Sequence, residues 1–263
     1  MIGQLWKRFR QWIWANRNAS KPLVRGIARG LGDLLALARE IRGCFTSQNT
    51  RSVVFMKLFQ NRRTHQTTSA TAMDRYPEVF STCRELLGQK QDLRILSFGC
   101  ATGEEVFTLR QYFPCATIIG AEINRSCLRV CRSRNRDENI HFIDSLPENL
   151  EKNGPYDAIF CMAVFQRSPE LVFNRHIMDL KKIYPFEKFE NQVAALDPLV
   201  KPEGLLVVHY CQYDFRDTAA AAGYTPDTRC NQDDYGPFVF DSSSKLNPRW
   251  RNRPCIFKKN PVK

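Results

Sequence analysis

The sequence predicts an α/β protein: a doubly wound, mostly parallel sheet that ends in an antiparallel hairpin, preceded by a basic helical extension. Three observations lead there. From residue 76 onward, apolar strand-like runs alternate with helix-like segments, the pattern of parallel strands joined by helical crossovers. One of those apolar runs passes through Gly99 and Gly103 straight into a helix start, as happens where an open sheet receives a ligand. The positive charge, finally, is gathered at one end of the 263 residues.

Residues 1–68 hold 13 Lys and Arg, from Lys7 to Arg63, against Asp33 and Glu40 alone, while 69–263 hold 26 basic and 25 acidic residues. We therefore expect an extension with its linker over 1–68 and a single catalytic-sized domain over 69–263. Within the extension, Leu23, Ile27, Leu31, Leu34, Leu35, Ala38 and Ile41 recur at helical spacing across 22–42, with Arg25, Arg29, Asp33, Arg39 and Arg42 mostly elsewhere on the wheel. Ahead of them Trp6, Phe9, Trp12, Ile13 and Trp14 are interleaved with Lys7, Arg8 and Arg10. Residues 1–45 can thus cap the main domain, lie at an anionic membrane surface, or meet a partner. The apolar stretch Gln11–Ala15 is too short for a signal peptide or a membrane span. The polar segment 60–71 reads as a loop into the main domain.

In the main domain the expected order is helix 76–88, strand Arg94–Phe98, helix Glu104–Tyr112, strand Thr117–Ala121, helix Arg125–Ser133 and strand Ile140–Ile143. Strands at Asp157–Met162 and Gly204–His209 flank a helical segment over Phe186–Leu199, and Phe238–Phe240 with Cys255–Phe257 are expected to form the terminal hairpin. Such a run of strand–helix units implies a Rossmann-like sheet. The ten cysteines are scattered through apolar elements without a C-x-x-C pair, which suits reduced core residues of a cytoplasmic protein and gives no support to a zinc or dithiol site.

The site is expected where ILSFGCATGEE, residues 95–105, leaves its strand. Gly99 lets backbone approach a ligand and Gly103 permits a tight entry into the helix. Neither G-x-G-x-x-G nor G-x-x-x-x-G-K-[ST] is present, so dinucleotide and P-loop readings lose ground. The next strand ends in GAEIN, placing Glu122 19 residues after Gly103, where a carboxylate can accept from both hydroxyls of a ribose. The third ends at Asp144 and Ser145, which can meet an adenine amine or simply cap the following helix. The fourth ends at Cys161, Met162 and Ala163. Glu104 and Glu105 complement the dipole of the helix they open, and one of them can also meet a ligand ammonium. His65, His141, His176 and His209 show no paired metal-ligand spacing, so no metal is expected, and Ser97-Phe98-Gly99 is not a nucleophile elbow.

Across about residues 72–215 the segments FGCATGEE, GAEIN, YDAIFCMA and VKPEG resemble class I S-adenosylmethionine-dependent methyltransferases. FGCATGEE looks most like their chemotaxis-receptor branch, the protein-glutamate methyltransferases. The resemblance implies S-adenosyl-L-methionine as cofactor, with Gly99, Cys100, Ala101, Thr102 and Gly103 at its amino acid moiety and Glu122 with Ile123 at its ribose. It further implies Asp144 and Ser145 on the adenine side, and Cys161 and Met162 at the sulfonium end. ATAMDRYPEVF is similar to the stretch in which that branch carries a cofactor-contacting Arg, here Arg75.

The sequence departs from the branch in having Ala163 and then Gln166-Arg167-Ser168 where the branch has an Asn and later a Tyr, and in offering only Arg134–Asn139 where the branch has a receptor-binding insertion. The activity implied is in-line methyl transfer to oxygen or nitrogen of a small-molecule or protein acceptor, for which Arg75, His209 and Tyr210, with Tyr213 and Asp214 near them, are the catalytic candidates. The competing implication is a non-catalytic cofactor-binding scaffold or sensor localised by its basic N-terminus, cytoplasmic or peripheral to a membrane. Nucleic acid is the least expected acceptor, because Cys161-Met162-Ala163-Val164 stands where amino-methylating nucleic-acid enzymes carry [DNS]-P-P-[YF].

Overall fold

A computed structural model describes residues 2–88, 90–167, 169–232, 238–247 and 253–261. The chain divides into two units, 1–55 and 56–263. Residues 56–68, grouped by their charge with the extension, are therefore part of the larger unit.

In the smaller unit, α1 (Ile2–Asn16) and α2 (Pro22–Thr46) pack together, and Ile13 and Ala28 are buried. Pro22 opens α2 at a position where the missing N–H costs nothing. The connection is closed by the Arg17–Asp33 ion pair at 3.1 Å and by Arg29 Nε donating to the Arg17 carbonyl at 3.1 Å. A third helix, α3 (Gln48–Phe59), runs across the division between the units.

The larger unit alternates as the sequence predicts: α4 (Pro77–Leu87), β1 (Arg94–Phe98), α5 (Glu104–Tyr112), β2 (Thr117–Glu122), α6 (Arg125–Arg134), β3 (Ile140–Asp144). It continues with α7 (Pro147–Asn153), β4 (Tyr156–Met162), α8 (Pro169–Asn174), α9 (Phe186–Leu196), β5 (Val200–His209), β6 (Tyr224–Asn231) and β7 (Pro254–Lys259). The seven strands form one sheet in the order β3-β2-β1-β4-β5-β7-β6. Strands β1 to β5 are parallel, and β7 runs antiparallel between β5 and β6.

Because side chains alternate along a strand, the sheet sorts its apolar residues onto two faces. Ile95, Ile118, Ala158, Phe160 and Val207 join the buried sides of α4, α5 and α6, while Leu96, Ile119, Ile159, Cys161 and Val208 join α9 on the opposite face. Strand order reverses between β1 and β4, which opens a crevice at the carboxyl edge of the sheet.

The terminal hairpin is corrected in one arm. Its first strand is β6, not Phe238–Phe240; Phe240 makes only isolated bridges, to Tyr213 and Leu246. The apolar triplet Phe238-Val239-Phe240 attracts the strand reading because Val239 and Phe240 are buried and Phe238 partly so, yet it is loop packed against the core. Strand β6 escapes notice because it is a polar edge, YTPDTRCN, carrying Pro226 and burying little besides Tyr224 and Cys230.

Asp157 fixes the foot of the sheet opposite the crevice. It accepts from the Arg94 amide at 2.8 Å and from Lys201 Nζ at 2.7 Å, tying β1, β4 and β5 together. Asp157→Ala leaves that amide without its acceptor, and we expect a loss of about 1–3 kcal/mol in urea unfolding; an unchanged midpoint would show that the tie contributes nothing.

Candidate functional site

The crevice is built by the turn that follows β1. Gly99 sits at φ +80°, and a Cβ there would meet Val164 Cγ2 at 2.6 Å, so both conformation and space demand glycine. The amides of Gly99 and Cys100 both donate to the Ala121 carbonyl, at 2.7 and 3.1 Å, which locks the turn onto β2. Ala101, a non-glycine at φ 49°, then directs its amide to Glu122 Oε2 at 2.9 Å. Backbone held in this region away from glycine costs of order 1–3 kcal/mol and persists where surroundings enforce it.

Two carboxylates stand in the crevice. Glu122, at the end of β2, is 7% exposed and accepts from the Ala101 amide and, at 2.7 Å, from the Asn124 amide. Asn124 in turn caps α6 by accepting from the Ser126 amide. Burial raises the Glu122 pKa and the Asp144 charge adds to the rise, while the backbone amides oppose it. A carboxylate has about four lone-pair sites, so Glu122 keeps acceptor capacity for a ligand.

Glu105, one residue into α5, accepts from Ser97 Oγ at 2.7 Å. Burial lifts its pKa to about 8, against the opposing influence of that hydrogen bond and of the Arg75 charge. The Arg75 guanidinium lies over the rings of Tyr76 and Tyr210, at 5.2 and 5.4 Å from their centroids.

The other wall is the segment 60–76, which crosses the crevice as a strap. Gln66 Nε2 donates to the Ala163 carbonyl at 2.7 Å, Arg63 Nη2 to the Ser145 carbonyl at 2.7 Å, and Ser69 Oγ accepts from Cys127 Sγ at 3.3 Å. The strap is fastened to α9 and to the segment just before it as well. His65 Nδ1 lies 2.8 Å from the Tyr184 hydroxyl, and Lys188 Nζ donates to the carbonyls of Asn61 and Thr64 at 2.6 and 2.7 Å. Burial, reinforced by the Lys188 charge, lowers the His65 pKa to about 3, so this ring is neutral.

Between sheet edge and strap lies a cavity, and the sequence-predicted residues divide around it. Gly99, Cys100, Ala101, Glu122, Ile123 and Ser145 line it, as do Met162 and Arg75. Thr102, Gly103, Asp144, Cys161, His209 and Tyr210 do not. Strand alternation explains Cys161: it is fully buried on the α9 face, while Met162 reaches the cavity. Thr102 turns outward, its hydroxyl donating to Glu104 Oε2 at 2.6 Å. Gly103, at φ 96°, supplies the left-handed residue from which α5 starts.

Asp144 stands at a neighbouring hollow with Arg125, Arg129 and Arg132, and lies 4.0 Å from Arg63. Neither Asp144 nor Ser145 caps α7; Leu146 holds that position without a side-chain bond. His209 lies behind Tyr76, their ring centroids 4.5 Å apart, and burial lowers its pKa to about 4. Its Nδ1 and the Tyr76 hydroxyl are buried without hydrogen-bond partners among the described residues.

Sequence reasoning missed Arg63, Gln66 and Tyr76, since a polar run without periodicity carries no sign that it folds back over a sheet. Among the described residues, no group of three or more His, Cys, Asp or Glu is placed to hold a metal ion.

A family model described as a methyltransferase domain matches residues 89–242. The malonyl-[acyl-carrier protein] O-methyltransferase of Bacillus cereus is 28% identical over 106 residues, covering 37% of this chain and 39% of that protein. Its counterpart in Bacillus anthracis is 29% identical over the same shares. The chain thus spans about two fifths of the length of the curated relatives it matches. Among solved structures, an amino pentose methyltransferase from Micromonospora echinaspora involved in calicheamicin biosynthesis aligns at 19% identity and a TM-score of 0.38, over 59% of this chain and 54% of that one. A precorrin-6y C5,15-methyltransferase from Geobacter metallireducens aligns at 18% identity and a TM-score of 0.36, over 53% and 65%.

Proposed function

The chain belongs to the methyltransferase domain family, and from that membership we infer that its cavity binds S-adenosyl-L-methionine and passes the methyl group to oxygen or nitrogen of a small-molecule or protein acceptor. The observation that carries the inference is the pairing, in one cavity, of two carboxylates of different kinds beside a glycine turn. Glu122, oriented by two amides, suits the hydroxyls of a ribose, and Glu105, a half-buried acid that accepts from the Ser97 hydroxyl, suits an ammonium. Arg75 lines the same cavity and suits a carboxylate. The donors and acceptors of an amino acid joined to an adenosine thus each have a counterpart, with Ser145 and Ile123 on the adenosine side and the Gly99–Ala101 backbone beneath the amino acid.

When bound, S-adenosyl-L-methionine would supply a methyl group on a sulfonium sulfur, the carbon–sulfur bond breaking as the bond to the acceptor forms and the sulfur leaving as a neutral thioether. The protein therefore needs no acid for the leaving group, and its task is to hold donor and acceptor in register and keep water away. The strap from Arg63 to Ala72 excludes water, and Met162 and Ala163 form the floor at the end of β4. A proton released by a hydroxyl or amine acceptor has Glu105, in its ionised form, as its destination within the cavity; His209 lies outside it behind Tyr76, and burial, which lowers its pKa to about 4, makes it a poor proton acceptor.

The Bacillus O-methyltransferases make oxygen one candidate acceptor atom. FGCATGEE resembles the turn of the chemotaxis-receptor branch, yet the short Arg134–Asn139 connection leaves no segment for that branch's receptor-binding insertion, so we assign the acceptor to another small molecule or protein group. Differential scanning of the full chain with S-adenosylmethionine and with its demethylated product tests the cofactor assignment. A ligand at a hundred times its dissociation constant stabilises by about 2.7 kcal/mol, and we expect a shift of that order with each compound; no shift with either would end the assignment.

A further inference from the structure

The smaller unit carries an apolar face that its own helices leave uncovered. On α2, Val24, Ala28, Leu31 and Leu35 form one stripe, shielded to differing degrees, with Ala28 wholly buried. A second stripe, set back on the wheel, consists of Leu23, Ile27, Leu34, Leu37, Ile41 and Phe45, exposed by 76, 49, 63, 53, 52 and 82%. At 1.5 Å per residue it runs for about 33 Å. On α1, Trp6, Trp12 and Trp14 are 51, 42 and 66% exposed, and Lys7, Arg8 and Arg10 beside them are exposed too. Soluble proteins rarely leave so long an apolar strip open without something to cover it.

We propose that α1 and α2 form a docking surface for an anionic phospholipid bilayer, on which they lie in the plane of the interface. Charge complementarity selects this occupant. Residues 1–55 carry ten Lys and Arg against Asp33 and Glu40, and Asp33 is already engaged by Arg17. Anionic headgroups neutralise that excess while the acyl boundary takes the leucine and phenylalanine stripe, and indole rings favour the depth between the two. A second copy of the same face would instead oppose arginines to arginines. Among the described residues no helix is long and apolar enough to cross a membrane, so the surface is one that lies on a bilayer and does not span it. The inference is independent of the methyl-transfer reading, because its test needs no cofactor.

The test is sedimentation of the full chain with vesicles of phosphatidylcholine alone and of phosphatidylcholine mixed with phosphatidylglycerol, at low and high salt. We expect binding to the mixed vesicles, little to the neutral ones, and weakening by salt. The double variant Leu34→Ser/Ile41→Ser, at exposed positions, should lower partitioning by roughly tenfold or more with an unchanged melting temperature. Quenching of tryptophan fluorescence in the unmodified chain by bromine-labelled lipid should place the indoles at the headgroup boundary. Equal partitioning into both vesicle types, binding unaltered by the serine pair, absence of quenching, or a dimer in ultracentrifugation that vesicles do not compete with would each overturn the proposal.

Discussion

Glu122→Ala is expected to weaken S-adenosylmethionine binding by about a hundredfold, measured by titration calorimetry. The size follows from removing an acceptor from two hydroxyl donors, each such bond contributing about 1–1.5 kcal/mol net. The substitution acts on the free protein as well. The amides of Ala101 and Asn124 lose their acceptor, at 2.9 and 2.7 Å in the intact site, and a buried unpaired N–H costs about 1–3 kcal/mol. Affinity and unfolding midpoint should therefore both fall. The two are separable: a lower midpoint with unchanged affinity would leave Glu122 as a brace for the turn and remove it from ribose recognition. Glu122→Gln keeps the volume and one acceptor oxygen but faces an amide with its NH2 group, so its affinity should lie between those of the alanine variant and the unmodified protein.

Glu105→Gln is expected to weaken binding by about tenfold to a hundredfold and to abolish a pH dependence. With its pKa near 8, Glu105 is mostly protonated in the free protein at neutral pH. An ammonium brought against it favours the ionised form, so binding releases a proton. Affinity should rise as pH increases from about 6 to about 8 and level off above that, with calorimetric heats that change with buffer ionisation enthalpy.

The stability of the free protein has the opposite slope. The folded-state pKa lies above the unfolded value, so the contribution of this group is fully present below pH 4.5 and declines as pH rises toward about 8. A glutamine at 105 should flatten both curves. Unchanged slopes would mean that Glu105 serves only Ser97.

The parallel part of the sheet was legible because its strands are buried on both faces and read as unbroken apolar runs, YDAIFCM most clearly. The turn was legible because glycine is the residue such geometry demands, and Glu122 because strand ends in a parallel sheet fall on one edge. What stayed hidden has physical reasons. A polar edge strand such as β6 presents no apolar alternation, whereas buried loop residues such as Val239 and Phe240 mimic it. Cys161 and Met162 are equally apolar neighbours, and only the register of β4 against β1 and β5 decides which of them meets the cavity. The strap has no periodicity at all; its position depends on partners more than eighty residues away, Ser145 and Ala163 among them. His209 ends a legible strand, yet Tyr76 intervenes, a ring whose place is set by α4.

The strap has a kinetic consequence. A segment continuous with the chain at both ends cannot depart as a ligand does; it can only be unlatched. Unlatching breaks the bonds from Gln66 to Ala163 and from Arg63 to Ser145, while the latch at Lys188 and Tyr184 acts as a hinge post. On the proposed reading, departure of the spent cofactor then requires these few hydrogen bonds to open as well as release from the carboxylates that recognise it, so the strap adds a step of its own to turnover, a door in front of the room that sets specificity.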